Sequence, residues 1–171
     1  MNIAVQLEPA ADSPRAVEYR WDTDTDILSA HLASADGGNG TSGSVELEGT
    51  DGSWLILDVA HGRISGLEVA VWPNVQRRPM LDPPTAVEDA HVLIPLRSSM
   101  DGPLSLEVTT LLAAEADTAE RVIHFRVGAR RDVRTVRLGR DLLLDLDPQS
   151  RIAGVWLLNV PPFPSSAGRI Q

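Results

Sequence analysis

The sequence predicts an all-β protein, built as two homologous antiparallel β-meander modules packed into one sandwich or barrel-like unit. Three observations predict it. Apolar and polar residues alternate with period two along most of the chain, the mark of strands with one buried and one wet face. Turn-forming residues separate these runs at short intervals. A series of segments also occurs twice in the same order. Leu55–Asp58 followed by Arg63–Leu67 returns as Leu142–Asp145 followed by Arg151–Val155, and Asp26–Leu32 returns as Arg121–Val127. An ordered recurrence of this kind indicates duplication.

The first module is read over residues 1–80, the second over 81–160, and a Pro-rich C-terminal tail over 161–171. Ile3, Val5 and Leu7 alternate with Ala4, Gln6 and Glu8, predicting a strand over 3–8. Val17, Tyr19 and Trp21 alternate with Glu18, Arg20 and Asp22, predicting one over 16–22. After a turn at Asp22–Thr25, further strands are predicted over 27–33, 44–49, 54–60 and 63–72, the last two joined at His61-Gly62. In the second module strands are predicted over 91–96, 104–112, 121–128, 133–138, 141–147 and 151–159, with turns at Asp101–Pro103 and Asp147–Ser150.

Leu111–Glu120 contains good helix formers but continues the strand alternation. Because Asp117–Glu120 aligns with the turn at Asp22–Thr25, a strand entering a hairpin is expected there. Pro84–Ala90 is suited to one helical turn, with Pro84 near its start. Pro73–Ala90, with Pro73, Pro79, Pro83 and Pro84, reads as a linker. The run Pro161-Pro162-Phe163-Pro164 cannot continue a central strand. It is expected as an extended arm, with Phe163 anchoring it on a neighbour.

The recurrence assigns faces. Leu28, Ala30 and Leu32 match Ile123, Phe125 and Val127, all apolar, while Ser29 and His31 match His124 and Arg126, all polar. The modules therefore share an inside and an outside. Ala30 in the place of Phe125 predicts that the two cores fill differently.

Composition bounds the chemistry. The 171 residues are 43% hydrophobic, enough for a core. There is no cysteine, which removes disulfides, thiol nucleophiles and cysteine-ligated metals. All fifteen basic residues are arginine, which removes Schiff-base and phosphate-loop lysines. Met1–Glu8 has no basic start and no long apolar stretch, and no run approaches the ~18 residues of a membrane span. A cytoplasmic protein is expected, with no membrane partner. The net charge of −9 argues against nucleic acid. That charge is uneven: residues 1–90 hold five arginines against fifteen carboxylates, and residues 91–171 hold ten against nine. Seven arginines fall between Arg121 and Arg140. They read as a solvated strand face, or as a surface that docks onto an acidic one in the other half or in a second copy.

The run from Val17-Glu18-Tyr19 through Asp26-Ile27-Leu28, then Leu57-Asp58, Gly62-Arg63-Ile64-Ser65-Gly66-Leu67-Glu68-Val69, resembles a bacterial family catalogued as domain of unknown function 2283. Its frame reads Y-D-x-x-x-D-x-L, then L-D-x-D-x-x-G-x-x-x-G-I-E-I. Tyr19, Asp26, Leu28, Asp58, Gly62, Gly66 and Glu68 fall on it. The resemblance covers most of residues 16–72 and implies a compact β-meander. The second half is a degenerate copy: Asp145, Arg151, Ile152 and Gly154 fit, but Trp156 replaces Glu68 and Arg121 replaces Asp26. Some family members sit beside small toxin-like proteins, from which the resemblance implies a partner-binding role. It carries no catalytic residues.

Candidate chemistry is sparse. Asp22, Asp24 and Asp26 resemble the opening of a calcium loop, but Ile27 and Ala33 stand where its glycine and bidentate glutamate belong, so a carboxylate-capped turn is expected. Gly38-Asn39-Gly40-Thr41-Ser42-Gly43 matches G-x-G-x-x-G, yet a strand rather than a helix follows it. His31, His61, His91 and His124 lack metal-ligand spacing, and surface positions are expected. Asp58 and Asp145 are equivalent in the two halves and read as turn or capping residues. No serine sits in a nucleophile-elbow pattern. No catalytic, cofactor-binding or metal residue is assigned.

By alternation Glu68 lies on the wet face. Trp156 and Trp72 then read either as exposed aromatics, which anchor interfaces well, or as lying under a second sheet that covers that face. The function expected is a non-catalytic protein-interaction domain, antitoxin-like, immunity-like or self-associating. Its partner is another protein or a second copy, met through Trp72, Trp156, Arg130, Arg131, Arg134, Arg137 and Arg140. The alternative is a small-molecule-binding β-barrel, a carrier or shape-driven cyclase, using leftover space around Ala30.

Overall fold

The computed structural model describes residues 3–10, 13–33, 42–94 and 104–164. Among them are fourteen strands and no helix. They are β1 (Gln6–Pro9), β2 (Val17–Asp22), β3 (Ile27–Leu32), β4 (Gly43–Gly49), β5 (Trp54–Ala60), β6 (Arg63–Val71), β7 (Val75–Arg77), β8 (Val87–Leu93), β9 (Leu104–Thr110), β10 (Leu112–Ala116), β11 (Ile123–Val127), β12 (Arg134–Gly139), β13 (Leu142–Leu146) and β14 (Ile152–Leu157). The fold is all-β, and its single sheet curls into a half-barrel. No helix among the described residues is long and apolar enough to cross a membrane.

Two sets of five strands pair antiparallel throughout, in the orders β2-β3-β6-β5-β4 and β10-β11-β14-β13-β12. Their registers correspond. Leu28 faces Val69 and Ala30 faces Leu67 in one set; Ile123 faces Leu157 and Phe125 faces Val155 in the other. Three parallel pairings then make the sheet mixed: β9 along β4, β8 along β12, and β7 along β10. This corrects the purely antiparallel expectation. Hairpin-linked neighbours must run antiparallel, whereas β7, β8 and β9 reach their partners from distant parts of the chain and are free to run the same way. β9, from the stretch 81–160, thus borders β4 of the first set. β8 also pairs with β1 and meets β6 at Arg63 and Leu93.

The concave face of the sheet is the core. Leu28, Leu57, Leu67, Phe125, Leu144 and Leu157 are fully buried in it, and one contiguous apolar cluster spans both sets. The unequal filling expected from Ala30 and Phe125 has a local explanation. Tyr19 stands opposite Ala30, and Ala114 stands opposite Phe125. A large–small pair is kept while the large member changes strand, which conserves volume across the pair.

Several expected boundaries move. The strand expected over 104–112 ends at Thr110 and a new one starts at Leu112, with Leu111 exposed between them. The alternation passes through Leu111 without a slip; only the hydrogen-bonding partner changes, from β4 to β11. The strand into a hairpin expected over 111–120 is present, as β10 and the turn at Asp117. The helical turn expected over Pro84–Ala90 is absent. Val87–Asp89 pair with β12 and Ala90–Leu93 with β1, and these ladders override the weak local preference. The linker over 73–90 accordingly contains β7 and the start of β8. Near the N-terminus, β1 begins at Gln6, while Ala4 bridges to Arg151. The turn at Asp101–Pro103 and Gly38–Thr41 of the glycine-rich run lie outside the described residues.

Phe125 is the largest fully buried side chain, and truncating it leaves a cavity in the shared core. Phe125→Ala is expected to cost about 3–5 kcal/mol. Denaturant titration should show a lower midpoint at an unchanged slope.

Candidate functional site

Two places gather functional side chains. The first is an aromatic cleft at one end of the sheet. Trp21 is the penultimate residue of β2 and Trp72 follows β6, and their rings stack at 5.8 Å between centroids. Phe163 meets Trp21 edge-on at 5.1 Å, and Trp72 tilts over Phe125 at 5.8 Å. Both indoles are anchored by their N–H groups. Trp72 donates to the Asp26 carbonyl at 2.8 Å, and Trp21 to the Pro161 carbonyl at 2.9 Å. Asp26 presents its carbonyl from a left-handed conformation, φ 60°, at the close of the β2–β3 turn. The cleft holds about 490 Å³, and the Arg77–Glu120 ion pair lies on its rim.

The second place is a polar cluster on the convex face. Asp145 of β13, 4% exposed, accepts three hydrogen bonds: from Thr135 Oγ1 at 2.7 Å, His124 Nε2 at 2.9 Å and Trp156 Nε1 at 3.2 Å. The rings of His124 and Trp156 stack at 4.1 Å. Gly154 of β14 lies between Asp145 and His124 and makes their contact possible. A Cβ there would stand 2.7 Å from Asp145 Oδ2 and 2.9 Å from His124 Nε2. In the first set His31, at the register position of Arg126 rather than of His124, stands opposite Gly66 with its Nδ1 3.6 Å from Asp58.

The residues expected to make contacts divide between these places and the surface. Trp72 lines the aromatic cleft, half-buried against the core beside Phe125 rather than exposed on the wet face. Trp156 is 7% exposed, which corrects its reading as an exposed aromatic. Its ring stacks on His124 and its N–H bonds Asp145, and the 129–133 segment stands beside it across a shared cleft. Arg131 pins this segment, donating to the carbonyls of Val127 (2.9 Å), Ala129 (2.8 Å) and Ile152 (3.0 Å) and to Asp147 (3.0 Å). Arg134 pairs with Glu88 at 3.5 Å and Arg137 with Asp89 at 3.7 Å. Arg130 and Arg140 are exposed, with no carboxylate paired among the described residues. Much of the arginine run thus meets acceptors of its own chain. Phe163 likewise anchors the arm on Trp21 of the same chain rather than on a neighbour.

The turn at Asp22 is carboxylate-capped: its Oδ1 accepts the Asp24 amide at 3.0 Å, and that bond with Thr25 holds Asp22 below the usual carboxylate range. Among the described residues no group of three or more His, Asp or Glu side chains is placed to hold a metal. Trp21 and the Asp145–His124 contact were not singled out by sequence. The available signal was the aspartate and glycine that recur together, Asp58 with Gly66 and Asp145 with Gly154, each with a histidine on an upstream strand, His31 and His124. No protein-family model matches the chain and no curated protein matches it.

Two aspartates carry opposite pH signatures. Burial acts to raise Asp147, but the Arg151 amide and the Arg131 and Arg151 guanidinium groups outweigh it and hold the carboxyl below its usual range. Its contribution is present above the unfolded value and is lost as pH falls through the folded one. Asp58 is raised, by burial first and by Glu68, against the attraction of His31, so its ionisation opposes folding at neutral pH. Asp147→Asn is expected to melt below the parent near neutral pH, with the gap closing in acid. Asp58→Asn is expected to melt above it near neutral pH and to match it below about pH 3. Thermal melts across pH check both signs.

Proposed function

We propose that this protein is a non-catalytic interaction module whose contact site is the Trp21–Trp72 cleft. Its partner is a second protein presenting an extended segment that carries proline beside an aromatic residue. The observation that carries this reading is the seat of its own Pro161–Phe163: Trp21 donates its indole N–H to the Pro161 carbonyl and takes Phe163 against its ring edge. Aromatic grooves take extended proline-rich segments through this combination of ring contact and carbonyl recognition, because such segments lose little entropy on binding. A volume of about 490 Å³ beside the arm falls within the range of binding clefts. Antitoxin-like, immunity-like and self-associating roles are forms of the same reading, and the absence of cysteine is compatible with the cytoplasm as its setting. The matching order and register of the two strand sets supports descent from one duplicated unit. The small-molecule barrel needs space around Ala30, and Ala30 does not line the aromatic cleft.

Peptides displayed against the full-length chain should be selected for proline adjacent to an aromatic residue. A free peptide of residues 159–171 should compete with them. Trp72→Ala is expected to weaken the selected peptides by about tenfold or more. A selection that returns no such sequence, or peptides indifferent to both Trp21→Ala and Trp72→Ala, would defeat the reading.

A further inference from the structure

We propose that the cleft over Trp156 on the convex face is a binding site for a small organic carboxylate, separate from the aromatic cleft. Its volume is about 180 Å³. An apolar cavity of about 150 Å³ accommodates benzene, so a single ring or a short branched chain fits this one. The walls supply such a body with apolar surface: the Trp156 ring, Val133, Ala129, Ala153 and Pro84.

The rim supplies the charge. Arg126 and Arg130 line the cleft, and no carboxylate pairs with either among the described residues. This sets them apart from Arg131, Arg134 and Arg137, each of which has one. Arg126 is steadied by a single contact, 3.4 Å from its Nε to the Gly128 carbonyl. A planar guanidinium presents a fork of donors that matches a carboxylate. The one acid in the lining, Asp145, is already met by three donors and is almost wholly buried. It therefore acts on the site by orienting His124 and Trp156. A carboxylate accepts only, so His124 Nε2 carries the proton of their contact.

The site is also pre-ordered. Arg131 ties the 128–133 segment to β11, β14 and Asp147, so Arg130 extends from a fixed backbone. Little ordering remains for the ligand to bring about. Burying Asp145 this way is costly compared with an apolar residue of similar size. A floor that must hold an imidazole and an indole in one geometry accounts for it. The first set lacks this arrangement: Ser29 and Glu68 occupy the register positions of His124 and Trp156, and Glu68 would repel an anion.

The test uses the full-length chain, with benzoate as probe, benzyl alcohol as its neutral counterpart and inorganic phosphate as an anion without an apolar body. Benzoate is expected to shift the Trp156 indole N–H and the His124 ring resonances saturably at millimolar concentration. Benzyl alcohol and phosphate are expected to bind at least about tenfold more weakly. Arg130→Gln and Arg126→Gln, both outside the core, should each weaken benzoate several-fold and together about tenfold or more, at an unchanged melting temperature. Absence of a saturable shift at tens of millimolar overturns the proposal. So does benzyl alcohol or phosphate binding as well as benzoate, or retention of affinity in the double variant. Peptide selection at the aromatic cleft is unaffected by any of these results, so the two readings fail separately.

Discussion

The structure depends on one constraint, the register that turns a single apolar face inward along the whole curled sheet. Side chains alternate across a strand, so a slip of one residue would exchange every core residue for its polar neighbour. With Leu28, Leu57, Leu67, Phe125, Leu144 and Leu157 all buried on the concave face, each strand has one acceptable register. The convex face follows without further choice. Asp145 must stand beside Gly154, and His124 beside Trp156, because Leu144, Val155 and Phe125 are held on the other side. The aromatic cleft follows in the same way, since Trp21, opposite Leu28, lies near the turn end of β2 and Trp72 directly follows β6.

Continuity across the two strand sets comes from backbone pairing rather than from packing alone. β9 lies along β4 and runs on into β10, so one stretch of chain belongs to both sets. Residues 3–5 and β1 do the same at the other junction. The Val5 amide reaches the Ser150 carbonyl at 2.8 Å, the Ile152 amide reaches Ile3 at 2.9 Å, and β1 pairs with β8. Edges that would otherwise offer unpaired donors and acceptors are covered by this exchange.

Two aspartates two residues apart illustrate different ways of keeping a carboxylate inside. Asp147 is surrounded by charge and backbone amides, with two arginines and the amides of Gln149 and Arg151. Asp145 is surrounded by a hydroxyl, an imidazole and an indole. The first arrangement closes a turn and pins a covering segment. The second fixes two rings in space, and a polar network satisfied to this degree gives a defined geometry to what lies above it.

Alternation and turn residues were enough to place most strands to within a residue or two, because period two is a local property that each segment carries with it. The correspondence of Asp58 to Asp145, and of Gly66 to Gly154, was also visible in the chain as recurrence. The parallel partners of β7, β8 and β9, the break at Leu111, the burial of Trp156 and the ion pairs of Arg131, Arg134 and Arg137 were decided only by tertiary structure. Each depends on which distant segment arrives, and alternation distinguishes the two faces of a strand without revealing what covers either one. The convex face of β14 reads as wet in sequence, yet Trp156 is 7% exposed there because its ring stacks on His124 and its N–H is taken by Asp145, partners that a distant strand and a neighbouring one bring in.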